Sequence, residues 1–131
     1  MRIENPARSV LIVATLAFLA AGATSAKTAS ALPSALEAGW SGESVCELLH
    51  QTESYRVLRC TFPPGVGHER HFHPAHFGYA VSGGTMRLED ASGTRTAEIK
   101  AGSSFSSDGV AWHEAVNIGQ TTVTYIMVEE F

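Results

Sequence analysis

The stretch that decides the fold is His71-Phe-His-Pro-Ala-His76, which runs on into Phe77-Gly-Tyr-Ala-Val-Ser-Gly83. Three of the six histidines of the chain fall within the first part of this stretch. On an extended strand, residues two apart point to the same face, so His71 and His73 present two imidazoles side by side. Pro74 ends this strand, because proline has no N–H to donate to a β-ladder. The spacing therefore predicts two short strands that gather imidazole ligands, which suit transition metals.

The chain from residue 44 onward alternates between short strand-like runs and turn signals rich in glycine, proline, serine and aspartate. Strands that recur about every 8–12 residues between such turns are typical of an all-β sandwich or barrel. No helical periodicity appears after residue 45. Besides the histidine-rich pair, the pattern predicts strands at residues 45–50, 56–62, 85–89, 94–99, 103–107, 112–117 and 122–128.

The first two of these strands carry the two cysteines of the chain. In a hairpin centred on Glu53, Cys46 lies opposite Cys60, and Leu48 lies opposite Leu58. Directly opposite residues have Cβ atoms about 4.5–5.5 Å apart, which allows a disulfide after a modest adjustment. Two buried thiols are the alternative, because free cysteine also packs well in cores.

The N-terminus has the pattern of a secretory signal peptide over residues 1–26. Its apolar run, residues 10–23, is shorter than the roughly 20 residues that a membrane span needs, and Ala26 offers a cleavage site. We therefore predict a secreted or periplasmic protein with no membrane attachment after cleavage. Residues 27–43 are rich in alanine, serine and glycine and are interpreted as a mobile lead-in to a domain at 44–131. The alternative for part of it is a short helix, or a strand added to a sheet edge, held in place by Leu32, Leu36 and Trp40.

Composition limits the partners of that domain. The chain has 131 residues, 44% hydrophobic residues and a formal net charge of −4, which indicates one globular domain. No basic stripe is present, so we expect no nucleic-acid partner. The last strand has apolar residues on both faces, such as Tyr125 and Met127 on one and Ile126 and Val128 on the other. Burial of both faces in so small a domain predicts a homodimer.

Two segments with matching spacings resemble the two motifs of the cupin superfamily. The first family motif reads glycine, five residues, His-x-His, a short gap, glutamate, six residues and glycine. The second reads glycine, five residues, Pro-x-Gly, two residues, histidine, three residues and asparagine. The residues in register with these motifs are Gly65, His71, His73, Gly83, Gly102, His113 and Asn117.

This resemblance covers about residues 44–131 and implies a double-stranded β-helix, or jelly-roll barrel, with a divalent metal near one end. Carried over by position, the metal ligands are His71, His73 and His113, and His76 stands in the slot of the family's glutamate. The Pro-x-Gly of the second motif is altered at residues 108–110. The implied cofactor is a transition metal of the group Fe, Mn, Ni, Cu or Zn.

The histidine in the glutamate slot changes the chemistry that the resemblance implies. Four neutral imidazoles leave the double positive charge of the ion uncompensated, which favours anionic ligands such as carboxylates or enolates. Four ligands in an octahedral arrangement leave two open positions. Four tetrahedral ligands on zinc instead form a closed, structural site. Both geometries are compatible with the sequence.

Three functional hypotheses follow, because one fold hosts many functions. The first is a metal-dependent, dioxygenase-like enzyme acting on a small anionic molecule. The second is a non-enzymatic module that binds a small molecule or a metal. The third is a sugar isomerase or epimerase, although no histidine–carboxylate acid/base pair is evident beyond the ligands.

Several nearby residues have interpretations that the motifs do not decide. His50 and His68 match no motif position and are expected to be solvated. Glu69 shares strand parity with His71, so it is either a partner of that ligand or an exposed acid. Asn117 is expected to orient His113 or to cap the adjoining turn.

Overall fold

The computed structural model describes residues 31–131. The predicted signal peptide, residues 1–26, and residues 27–30 of the predicted lead-in lie outside the described residues. The regular structure of the described part is all β, with no helix and so none that is long and apolar enough to cross a membrane. The strands are β1 Gly39–Trp40, β2 Glu43–Ser44, β3 Cys46–Gln51, β4 Tyr55–Phe62, β5 Gly67–His73, β6 His76–Ser82, β7 Gly84–Asp90, β8 Gly93–Ile99, β9 Ser104–Ser107, β10 Val110–Asn117 and β11 Val123–Glu130.

Two antiparallel sheets enclose the core. One has four strands in the order β5-β10-β7-β8, and the other has five in the order β3-β4-β11-β6-β9. The predicted all-β, jelly-roll architecture is confirmed. Apolar side chains from both sheets form one buried cluster, which includes Leu58, Cys60, Phe62, Met86, Val123 and Met127.

The first hairpin has the predicted register over most of its length. Cys46 pairs with Cys60 and Leu48 pairs with Leu58, after which a bulge shifts the pairing by one residue before His50. Cys46 and Cys60 form a disulfide. Of the two alternatives that the sequence left open, the structure contains the bridge rather than the thiols.

Strand β11 lies at the centre of the five-stranded sheet, between β4 and β6. Its inward face buries Val123, Met127 and Glu129, and the side chains of Ile126 and Val128 on its other face are half-buried. The homodimer that was inferred from this strand stays a prediction.

The described part of the lead-in packs along the edge of β5. The Phe72 N–H donates to the Pro33 carbonyl at 3.1 Å, and Ser34 forms a parallel bridge with Phe72. Ala35 is fully buried and belongs to the core cluster. The described part of the predicted lead-in thus contributes Ala35 to the core and covers the strand that carries two of the predicted ligands.

Candidate metal centre

Three of the four predicted ligands meet at one point. His71 and His73 project from the same face of β5, and His113 on the neighbouring strand β10 pairs with His71 in the ladder. The Nε2 atom of His73 lies 2.9 Å from that of His71 and 2.9 Å from that of His113. The remaining Nε2–Nε2 distance, from His113 to His71, is 3.0 Å. The three ring nitrogens therefore form a nearly equilateral triangle.

The outer nitrogens of two of these rings have fixed partners. His71 Nδ1–H donates to the Glu69 carbonyl at 2.6 Å, and His73 Nδ1–H donates to Glu129 Oε1 at 2.6 Å. A neutral imidazole has a single N–H, so in both rings Nε2 offers a bare lone pair. When both rings are neutral, the lone pairs of His71 and His73 thus face each other with no proton between them.

This arrangement fits a metal ion. A point about 1 Å off the plane of the three nitrogens lies about 2.0 Å from each, and protein Zn–N distances are about 2.0–2.1 Å. A cation at such a point would bind all three lone pairs of His71, His73 and His113, which otherwise repel one another. The donor set suits Zn, Cu, Fe or Ni.

Burial keeps the imidazoles of His71 and His113 neutral. Burial, with smaller contributions from the neighbouring imidazoles, lowers the pKa of His71 from 6.5 to about 2. The same causes lower the pKa of His113 to about 3. Both rings are therefore unprotonated at neutral pH, which is the form that binds metals.

A buried ion pair supports the centre from the opposite sheet. Glu129 on β11 is fully buried, and its Oε2 accepts from Arg56 Nε–H at 2.6 Å while its Oε1 accepts from His73. Burial opposes the charge of Glu129, but the hydrogen bonds from His73 and Arg56 outweigh it and lower the pKa of the carboxyl group. Glu129 is thus an anion linked directly to a predicted ligand.

The fourth predicted ligand, His76, lies beside the triangle rather than within it. Its ring centroid is 4.7 Å from that of His73, and its Nδ1–H donates to the Pro74 carbonyl at 2.8 Å. The group of converging nitrogens comprises His71, His73 and His113 alone among the described residues. Burial lowers the pKa of His76 as well. Its role as a ligand stays a prediction.

His68 is buried, and the expectation that it is solvated was wrong. The residue is 3% exposed, its Nε2 lies 2.9 Å from the Ala35 carbonyl oxygen, and its ring centroid is 3.7 Å from that of His71. The reason is an irregularity in β5, where His71 pairs with His113 but His68 pairs with Ala115. The extra residue in the strand turns His68 to the ligand face. Burial lowers its pKa to about 4.

The same irregularity turns Glu69 outward. Its side chain is exposed and accepts a hydrogen bond from the Ser41 backbone N–H at 3.0 Å. Only the backbone carbonyl group of Glu69 accepts a hydrogen bond from His71. Asn117 caps the turn after β10. Its Nδ2 donates to the carbonyls of Phe62 and Thr121, both at 2.7 Å.

A cavity of about 370 Å³ adjoins the candidate centre. His73, His76 and His113 line it, and Arg95 and Ser107 add polar groups to its wall. Most of the wall is apolar, with contributions from Phe62, Met86, Leu88, Ile99, Phe105 and Met127. Tyr125 also lines the cavity, and burial raises its pKa to about 12, so its hydroxyl group keeps its proton. The cavity suits a small, mainly apolar molecule with one polar end.

Comparison with known proteins places this site in a family context. A family model described as "Cupin domain" matches residues 58–129. No curated protein sequence matches the chain. A solved cupin domain from Bordetella pertussis Tohama I is 20% identical with a TM-score of 0.63, over 79% of this chain and 99% of that one.

Two further solved structures carry functional names. A polyketide cyclase from Streptomyces resistomycificus is 20% identical with a TM-score of 0.54, over 65% of this chain and 63% of that one. A predicted oxalate decarboxylase from Thermotoga maritima is 22% identical with a TM-score of 0.50, over 66% of this chain and 80% of that one. At these identities the likeness shows a shared jelly-roll fold.

Proposed function

The chain belongs to the cupin domain family, and from this premise we propose that it binds one divalent transition metal through His71, His73 and His113 and acts there on a small molecule. The observation that carries the proposal is the convergence of three Nε2 atoms within 3.0 Å of one another. The ion, once bound, would supply a Lewis-acidic and, for a redox-active metal, an electron-transferring position. Fe, Mn, Ni, Cu and Zn are the candidate ions.

The cavity supports a substrate that is mostly apolar, with an anionic donor group such as an enolate or a carboxylate. Its aromatic and aliphatic wall would hold the body of the molecule and exclude water, while the polar end would face the histidines. A centre built from neutral imidazoles keeps its positive charge and favours such an anion. A polyhydroxylated sugar fits this wall poorly, which argues against the isomerase hypothesis.

Metal-dependent, dioxygenase-like chemistry is the reaction class that we propose. The names of the two structural relatives, a cyclase and a predicted decarboxylase, belong to those proteins, and they support small-molecule chemistry as the proposed reaction class. Tyr125 lines the cavity, and its protonated hydroxyl group is a candidate hydrogen-bond donor to a bound substrate.

We also propose that the protein is exported and works outside the cytoplasm as a homodimer. The N-terminal pattern and the Cys46–Cys60 disulfide support export, because disulfides persist in oxidising compartments. The exposed Phe77, Tyr79 and Val81 on the outside of β6 support self-association. Size-exclusion chromatography with light scattering tests the dimer, and a monomer at micromolar concentration would contradict it.

Metal analysis and dioxygen uptake test the proposal together. Protein purified from its exported location should contain one transition-metal ion per chain and should consume dioxygen with at least one small enol, thiol or keto acid. His71→Ala and His113→Ala should each abolish stoichiometric binding. His50→Ala is the matched control, because this histidine is exposed on β3 and should be dispensable. Full metal content in both ligand variants would overturn the site, and a redox-inert ion without uptake would overturn the oxygenase reaction.

A further inference from the structure

We propose that Glu129 raises the metal affinity of the centre by increasing the donor strength of His73. Glu129 is the middle residue of a buried hydrogen-bond network that joins Arg56, Glu129 and His73. The inference deepens the proposed function and rests on it, since the network can affect the metal only if His73 is a ligand. Glu129 positions and polarises His73. It contacts a ligand rather than the substrate.

Both oxygens of Glu129 point at specific partners. The side chain is fully buried, Oε2 accepts from Arg56 Nε–H at 2.6 Å, and Oε1 accepts from His73 Nδ1–H at 2.6 Å. Arg56 is itself only 12% exposed, and it faces Glu129 directly in the ladder between β4 and β11. His73 belongs to the other sheet, on β5. The hydrogen-bond network therefore crosses the barrel from one sheet to the other and ends on the predicted ligand His73.

The ion pair with Arg56 compensates the cost of burying the Glu129 charge. It does not explain why the second carboxylate oxygen accepts a hydrogen bond from His73. A carboxylate that accepts the Nδ1–H of a metal-binding histidine fixes the ring tautomer and raises the basicity of Nε2. His71 donates its Nδ1–H to a neutral backbone carbonyl instead. The imidazoles are thus not equivalent, and His73 is expected to be the strongest donor.

The position of Glu129 also gives an all-imidazole centre a nearby negative charge. Glu129 pairs with His76 across the ladder between β11 and β6, so it lies next to the residue that occupies the glutamate slot of the motif. The carboxylate acts on the centre through the His73 ring rather than by binding the ion. Among the described residues that line the cavity beside the centre, none carries a carboxylate.

The test compares ion binding by the mature chain and a Glu129→Gln variant. Glutamine keeps an oxygen acceptor for His73 Nδ1–H but removes the charge. We expect the affinity for Zn²⁺, measured by competition with a chromophoric chelator, to fall about 10- to 100-fold. The visible absorption bands of the Co²⁺ form should shift, because the donor strength of one ligand changes.

Two further variants separate tuning from folding. Arg56→Met combined with Glu129→Gln removes both charges, so no buried arginine is left unpaired, and it should show the same loss of affinity and the same spectral shift. Arg59→Gln is the matched control, because it breaks the exposed Arg59–Glu47 ion pair and should leave both readouts unchanged.

The outcomes distinguish this inference from the proposed function. Wild-type protein that binds neither ion would overturn both. Wild-type binding with the same affinity and the same Co²⁺ spectrum in the Glu129 variants would overturn the tuning role alone. A lower melting temperature of the metal-free variants with unchanged affinity and spectrum would also overturn it, since that result describes a purely structural ion pair.

Discussion

At the scale of single residues, burial decides what each histidine of this chain can do. His71 and His113 lie in a low-dielectric setting that lowers their pKa values far below 6.5, and their lone pairs stay available. His50 is exposed on β3 and has no part in the centre. Whether a histidine of this chain can bind a metal thus depends on its position and burial.

His68 gives the residue-scale prediction. Replacement of His68 by alanine should lower the free energy of unfolding by about 2–3 kcal/mol, because it removes a buried ring and its hydrogen bond to the Ala35 carbonyl. Equilibrium urea unfolding measures this loss. His50→Ala provides the comparison and should change the value by less than about 0.5 kcal/mol. Equal, small effects of the two substitutions would show that His68 is solvated after all.

The sequence predicted three of the site residues because their spacing is local or belongs to a motif. His71 and His73 are two apart on a strand, and His113 falls in the second motif. Glu129 was missed, since it contacts His73 across 56 residues and between two sheets. His68 was missed because strict alternation does not anticipate a bulge. The one hint in the sequence was that His68 lies three residues before His71, at the start of the histidine-rich strand.

At the scale of elements, β5 is the strand on which the site depends. It is the edge strand of the four-stranded sheet, and the segment from residue 33 to residue 41 covers that edge. The Phe72 N–H to Pro33 carbonyl bond and the Ser41 N–H to Glu69 carboxylate bond lie on either side of His71. A covered edge cannot pair with another chain, and the strand that carries two ligands is held in place.

The hairpin of β3 and β4 gives the element-scale prediction. Titration of the unfolded, unreduced protein should find no free thiol, because Cys46 and Cys60 are bonded to each other. Replacing both cysteines by serine should cost about 3 kcal/mol of stability, from the chain entropy that a loop of this length restricts. Two free thiols, or a double variant as stable as the wild type, would contradict the bridge.

The positions of β3 to β11 were predictable from alternation and turn residues, and each of these strands appears within a few residues of its expected place. The sequence did not place the two-residue strands β1 and β2, which lie in the segment interpreted as a lead-in. The hairpin register was also predictable up to Leu48, because a short turn fixes local pairing. The order of strands in each sheet was not, since neighbours such as β5 and β10 are distant in sequence. Such pairings depend on packing that no local pattern encodes.

At the scale of the whole molecule, the barrel brings the three converging histidines, an apolar cavity and a buried ion pair into contact. The histidine triangle stands on one sheet, and Glu129 with Arg56 stands on the other. The hydrogen bond between His73 and Glu129 therefore ties the two sheets together at the centre. The stability of the fold and the chemistry of the site depend on the same contacts.

This coupling predicts how the stability of the metal-free protein depends on pH. Burial lowers the pKa of His68 to about 4 and that of His71 to about 2, from 6.5. Below pH 6.5 the unfolded chain binds protons that the folded chain does not, so stability is full above pH 6.5 and falls as the pH drops. His68 alone should cost on the order of 3 kcal/mol by pH 4.

Urea unfolding of metal-free protein at pH 7, 5.5 and 4 measures this dependence. The His50→Ala variant should follow the wild-type curve, because His50 is exposed. A free energy of unfolding that stays constant, or rises, towards pH 4 would contradict the buried, neutral state of these histidines.

The metal centre is tested most directly by a crystal structure of the metal-loaded protein, recorded at the absorption edge of the bound metal. We expect one anomalous peak per chain, about 2.0–2.2 Å from the Nε2 atoms of His71, His73 and His113. We also expect Glu129 still to accept the Nδ1–H of His73. A peak bound by other residues, or fully loaded crystals with no peak at this triangle, would contradict a three-histidine metal site.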